Sequence, residues 1–147
     1  MIRSAARALL IQDDHFLAVK YKEKDRVYYA LPGGGQEEGE SLHINLQREC
    51  QEELGIHVKI GELLFVREWI DEELCIHQIE FIFECTPHRK IIDIKSEIPD
   101  PNQIGIEWLP ISDVMNYHIY PLQMREQLLA KFGGHSNIVS VYLGEGN

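Results

Sequence analysis

Glu49, Glu52 and Glu53 stand at i, i+3 and i+4 in a stretch of helical spacing, so their carboxylates share one face. At roughly 6 Å and an effective dielectric of about 20, each like-charged pair costs about 3 kcal/mol before screening. Such a face calls for positive charge. Arg48 sits beside the triplet, Glu40 lies ahead of it, and Leu31-Pro32-Gly33-Gly34-Gly35 forms a turn able to present bare backbone carbonyls. Carboxylate and carbonyl oxygens are what a hard divalent cation takes as ligands, and a cation held there lowers the pKa of bound water. The alternative is a solvated acidic face in which Arg48 and Glu52 make an ordinary i, i+4 pair. The glycine turn and Glu40 in front favour the cation.

The elements that must position these groups are legible around them. Leu42, Leu46, Cys50 and Leu54 recur every fourth residue, which predicts an amphipathic helix over residues 41–54 with one apolar stripe. Ser41 suits its N-cap, and Gly55 stands where a left-handed residue ends a helix. Before it, residues 4–12 and 15–22 read as two strands turning at Asp13-Asp14, and residues 27–31 as a short strand leading into the glycine turn. After it, residues 58–70 and 74–85 read as longer strands around a turn at 71–73. In the second, Ile79, Phe81, Phe83 and Cys85 alternate with Gln78, Glu80, Ile82 and Glu84, a packed face against a more polar one. Residues 86–103, with three prolines and little periodicity, read as a long loop of the kind that serves as a lid or binding loop. Residues 104–109 form a strand and 121–132 a second helix, with Pro121 at its first turn and Gly133-Gly134 stopping it. Residues 138–143 read as an edge strand or as a contact with a second subunit, so a homodimer is one expectation.

Residues 34–56 resemble the Nudix box, G-x5-E-x7-R-E-U-x-E-E-x-G-U with U a bulky apolar residue. Gly34, Glu40, Arg48, Glu49, Glu52, Glu53 and Gly55 match its fixed positions, and Cys50 and Ile56 fill the U places. Ala30-Leu31-Pro32-Gly33 and Gly39-Glu40-Ser41 also resemble the family's habit. The resemblance implies an α+β Nudix fold, an α/β/α sandwich around a central mixed, curved β-sheet. It implies a Mg2+- or Mn2+-dependent hydrolase of a nucleoside diphosphate linked to another group: a nucleoside triphosphate, ADP-ribose or another nucleotide sugar, or a dinucleoside polyphosphate. Carried over by position, Glu49, Glu52 and Glu53 hold metal, Gly33 supplies a carbonyl, and Glu40 closes the site at longer range or through water. Arg48 orients a box glutamate. Glu52 is the expected general base, with Glu49 or Glu97 in the long loop as alternatives. Arg67, Trp69 and Tyr28 are candidates to grip phosphate or stack on a base, and Glu80 to face the substrate cleft.

A chain of 147 residues fits a single domain spanning residues 1–147 and buries about two-thirds of its unfolded surface. Three cysteines without a C-x-x-C pair, no signal core and no membrane-length apolar run predict a reduced, cytoplasmic setting. The formal charge of −10 disfavours a nucleic-acid polymer and would repel a nucleotide unless cations are held in the site. An EF-hand is excluded by the lack of a D-x-D-x-D-G loop, and a P-loop by acids at 37–38 with no Gly-Lys-Ser/Thr. A non-catalytic Nudix-like module that senses a nucleotide is the remaining alternative. Every box carboxylate is present, which speaks for catalysis.

Overall fold

The computed structural model describes residues 1–91, 102–133 and 140–146. Runs of buried apolar residues give β1 (Arg3–Gln12) and β2 (His15–Glu23). Asp13 and Asp14 both take positive φ, 52° and 60°, the geometry of a tight two-residue hairpin. The two strands pair only near that turn, at Ile11↔Phe16 and Gln12↔His15, and then part. Beyond it β2 pairs with β3 (Arg26–Ala30) and with β7 (Gln103–Pro110). Strand β1 pairs instead with β6 (Ile76–Pro87), in parallel, and with the glycine turn itself, which forms strand β4 (Gly33–Gly35). β5 (Val58–Asp71) and β9 (Tyr142–Glu145) extend the β6 side, and β8 (Ile119–Tyr120) flanks β3. The parting of β1 from β2 curls the mixed sheet around a cleft.

Helix α1 (Leu42–Leu54) follows the predicted stripe: Leu46, Cys50 and Leu54 are buried with Leu10, Leu17, Val58 and Phe83 on one face of the sheet. Ser41 Oγ accepts the Ile44 N–H at 3.2 Å, and Gly55 ends the helix at φ 67°. On the other face α2 (Met124–Phe132) packs Met124 and Leu128 against Leu9, Phe16, Phe65 and Ile82. The result is a sheet sandwiched between helices, as expected for an α+β Nudix fold.

Two expectations need correcting. The glycine turn is also a strand, because Gly33–Gly35 pair with Ala5–Arg7 of β1. The second helix begins at Met124, three residues late, because Pro121 and Leu122 carbonyls are used by i→i+3 bonds to Met124 and Arg125. On the more polar face of β6, Glu80 and Ile82 are buried by the curl of the sheet while Gln78 and Glu84 are half-buried. Residues 138–139 of the predicted edge strand lie outside the described residues, and the strand observed there is β9.

Leu46 is fully buried at the centre of the α1 packing. Leu46→Ala should cost about 2–5 kcal/mol in urea unfolding, with the midpoint shifted and the slope unchanged. An unaltered midpoint would show that α1 is not held through its stripe.

Candidate active site

Strand β4 and helix α1 bring the box together. Gly33 has φ 142°, and a Cβ there would meet the Ala6 carbonyl at 2.1 Å, so only glycine allows this approach to β1. A Cβ on Gly34 would lie 2.6 Å from the Glu49 carboxylate. The turn is therefore bare because a strand crosses on one side and a carboxylate presses on the other.

Arg48 ties the pieces. Its Nε and Nη2 donate to Glu40 at 3.1 and 2.6 Å, Nη2 to the Gly35 carbonyl at 3.0 Å, and Nη1 to Glu49 at 3.0 Å. Its contact with Glu52, at 3.4 Å, is longer than those with Glu40 and Glu49, and the Glu52 side chain is 50 % exposed. Hydrogen bonds from Arg48 and from the Glu37 backbone N–H hold the Glu40 carboxyl below the usual carboxylate range. Asn45, fully buried on α1, donates to the Gly34 and Gly35 carbonyls at 3.2 and 3.1 Å.

Glu53 lies deeper. Burial, together with the charge and hydrogen bond of Glu49, pushes its carboxyl up to about 7, against the opposing pull of Arg7 and the Gly33 backbone N–H. Two adjacent carboxylates, one of them half-buried and short of positive charge, beside a glycine turn whose Gly33 carbonyl oxygen keeps a second lone pair beyond the Arg7 donor already on it, form a donor set suited to a divalent cation. Among the described residues, no three His, Cys, Asp or Glu side chains already converge as a closed metal cluster. The Glu49–Glu53 pair is the formed part, and Glu52 is held apart toward Arg48.

The remaining predicted residues line the curl of the sheet. Glu80 is buried and shared between Arg7 Nε at 2.7 Å and Arg67 Nε, with Gln78 Nε2 at 3.1 Å. Burial alone would raise its carboxyl, but the charges and hydrogen bonds of Arg7 and Arg67 outweigh this and hold it below the usual range. Arg67 stacks over Trp69 at 5.8 Å. These two arginines and Glu80 line a cleft of about 40 Å³ with Tyr120 and Pro121. Tyr28 stacks on Tyr21 and meets Tyr120 edge-on at 5.7 Å, so it stands next to a cleft residue. Glu97 lies outside the described residues. Sequence reasoning missed Arg7, Asn45 and Tyr120. The available signal for Arg7 was a lone charge inside the apolar run 5–11.

A helix carrying clustered carboxylates against a glycine turn, on a curled mixed sheet between helices, is the arrangement of the Nudix fold. A solved MutT NUDIX hydrolase from Burkholderia pseudomallei shares it, with a TM-score of 0.71 over 88 % of this chain and 98 % of that one at 22 % identity. Residues 1–130 match the family described as the NUDIX domain, and the chain belongs to that family. Nucleoside triphosphatase NudI of Salmonella agona is 29 % identical over 76 % of this chain and 88 % of its own length. The human 8-oxo-dGDP phosphatase NUDT18 is 32 % identical over 67 % of this chain, which spans 29 % of that protein. The protein is thus a Nudix hydrolase, an enzyme that cleaves phosphoanhydride bonds.

Glu80 sets a test of the cleft. A carboxyl held low in the folded state contributes stability above its ordinary value of 4.5, and that contribution is lost as pH falls through the lower folded value. Glu80→Gln leaves Arg7 and Arg67 without their anion and should cost about 3 kcal/mol at pH 7. The gap from the native protein should narrow as urea melts are repeated below pH 4.5. A gap independent of pH would mean that the loss is not electrostatic.

Proposed function

We propose that the chain is a magnesium- or manganese-dependent pyrophosphohydrolase whose substrate is a nucleoside triphosphate. The observation that carries this reading is the Glu49–Glu53 pair packed beside Gly33 and Gly34, where cationic charge is under-supplied. NudI, a nucleoside triphosphatase matched over most of its length, supports the choice of substrate. Glu49, Glu53 and the Gly33 carbonyl would hold the cation, with Glu52 as a further carboxylate of the same helix face. Glu40 acts at longer range, through Arg48. A cation bound there neutralises phosphate charge and acidifies water.

Glu52 is the general base. Its contact with Arg48 is longer than those of Glu40 and Glu49 and its carboxylate is open to solvent, so it is free to take a proton from attacking water. Arg48 is a positioning residue, engaged by Glu40, Glu49 and Gly35 and so not spare for phosphate. Arg67 and Glu80 shape the cleft, and Tyr28 and Tyr120 border the space for a base. Cys50, Cys75 and Cys85 are all free thiols, consistent with a reducing, cytoplasmic setting.

Product release should be followed over nucleoside triphosphates, 8-oxo-dGDP, ADP-ribose and dinucleoside polyphosphates, with and without Mg2+. Triphosphates are expected to turn over best, in a metal-dependent way, with Glu52→Gln and Glu53→Gln each slower by on the order of 100-fold or more. Inactivity across the panel with metal present would overturn the reading.

Metal binding has a separate readout. Millimolar Mn2+ should raise the melting temperature of the native chain by several degrees. The Glu49→Gln/Glu53→Gln variant should be more stable in chelator and show no response to Mn2+. A native protein whose calorimetric trace ignores Mn2+ would return these carboxylates to a solvated role.

A further inference from the structure

Arg7 belongs to no motif, yet it occupies the junction between the carboxylate helix and the cleft. Its strand, β1, runs between β4 and β6, so its side chain meets both the glycine turn and the Glu80 side of the cleft. Nη1 donates to the Leu31 and Gly33 carbonyls at 3.3 and 3.1 Å, and Nε to Glu80 at 2.7 Å. These bonds fix the plane of the guanidinium. Nη2 carries no hydrogen bond to another described residue, the side chain is 24 % exposed, and Arg7 lines the cleft.

Charge points the same way. Arg7 and Arg67 share the Glu80 carboxylate, with Glu53 a further acid acting on Arg7, so two guanidiniums meet at this cleft in a chain of formal charge −10. The other arginines near the site are committed. Arg48 serves three acceptors on the glutamate side, and Arg67 is buried between Glu80, the Gly146 carbonyl and the Trp69 ring. A polyanionic substrate entering an acidic protein needs a fixed cation, and a planar fork held on two of its nitrogens is organised in advance to offer the third.

We infer that Arg7 is a substrate-binding residue that contacts the phosphate chain, with Nη2 as the donor. The inference rests on the proposed reading of the site as a nucleotide hydrolase. Glu80 and the Gly33 carbonyl thereby gain a second role, as the anchors that aim this guanidinium.

The test measures binding without turnover. A methylene-bridged, non-hydrolysable nucleoside triphosphate is titrated by calorimetry in the presence of Mn2+, and Mn2+ alone is titrated by electron paramagnetic resonance. Arg7→Gln should weaken analogue binding on the order of 10- to 100-fold and change Mn2+ binding less than about threefold. Arg7→Lys, which keeps the charge but loses the fork, should fall between, and it decides the matter if Arg7→Gln does not fold. Arg3→Gln, an exposed change four residues away on the same strand, should bind as the native protein does.

Analogue binding within threefold of native in the Arg7 variants would overturn the inference. So would a parallel loss of Mn2+ binding, which would make Arg7 a prop for the Gly33 carbonyl. Arg7-dependent analogue binding in a protein that hydrolyses nothing on the panel would overturn the proposed reaction and leave the phosphate contact standing. Normal hydrolysis with Arg7-independent binding would do the reverse.

Discussion

The Arg48 guanidinium is the joint on which the catalytic geometry turns. One planar group is bonded at once to Glu40 from the loop, Gly35 from β4 and Glu49 from α1. A loop, a strand and a helix that would otherwise repel one another through their acids are drawn to one point. Charge-assisted bonds of this kind are roughly twice as strong as neutral ones, and here they act together with Asn45, which fastens the same carbonyl run from the helix side. Crowded carboxylates become tolerable because the cation among them is covalently part of the chain.

A division of labour follows. Arg48 neutralises the outer acids, Glu40, Glu49 and Glu52, while Glu53, half-buried, has only the partial help of Arg7 and a backbone N–H. Neutralisation stops short of the innermost carboxylate, which is where a metal ion has most to gain. Across the curl of the sheet the balance reverses, and two guanidiniums surround one carboxylate. An electronegative wall of glutamates thus stands beside an electropositive one of arginines.

How much of this could be read in advance depends on how local the cause is. The α1 stripe, its Ser41 cap and its Gly55 stop are set by neighbours within a few residues, and the structure repeats them. The box residues were legible because their spacing on one helix dictates which side chains share a face. The strand character of Gly33–Gly35 was not, since three glycines carry no strand propensity and the pairing is imposed by β1. Glu80 read as half of an alternating pattern; its burial against Arg7 and Arg67 comes from a sheet that closes on itself, which no single strand announces. Asn45 falls on the helix at a place where a polar residue looks solvent-facing, and only the approach of β4 buries it.

The parallel pairing of β1 with β6 joins Arg7 to Glu80 across 73 positions of sequence. During synthesis on the ribosome, the acidic helix is complete long before β6 has emerged. Contacts this distant in sequence form late, so the N-terminal strand must wait for a partner from the second half of the chain. The cleft wall is then completed only when β6 arrives, and a nascent chain bearing all its box glutamates still lacks the Arg7–Glu80 pair.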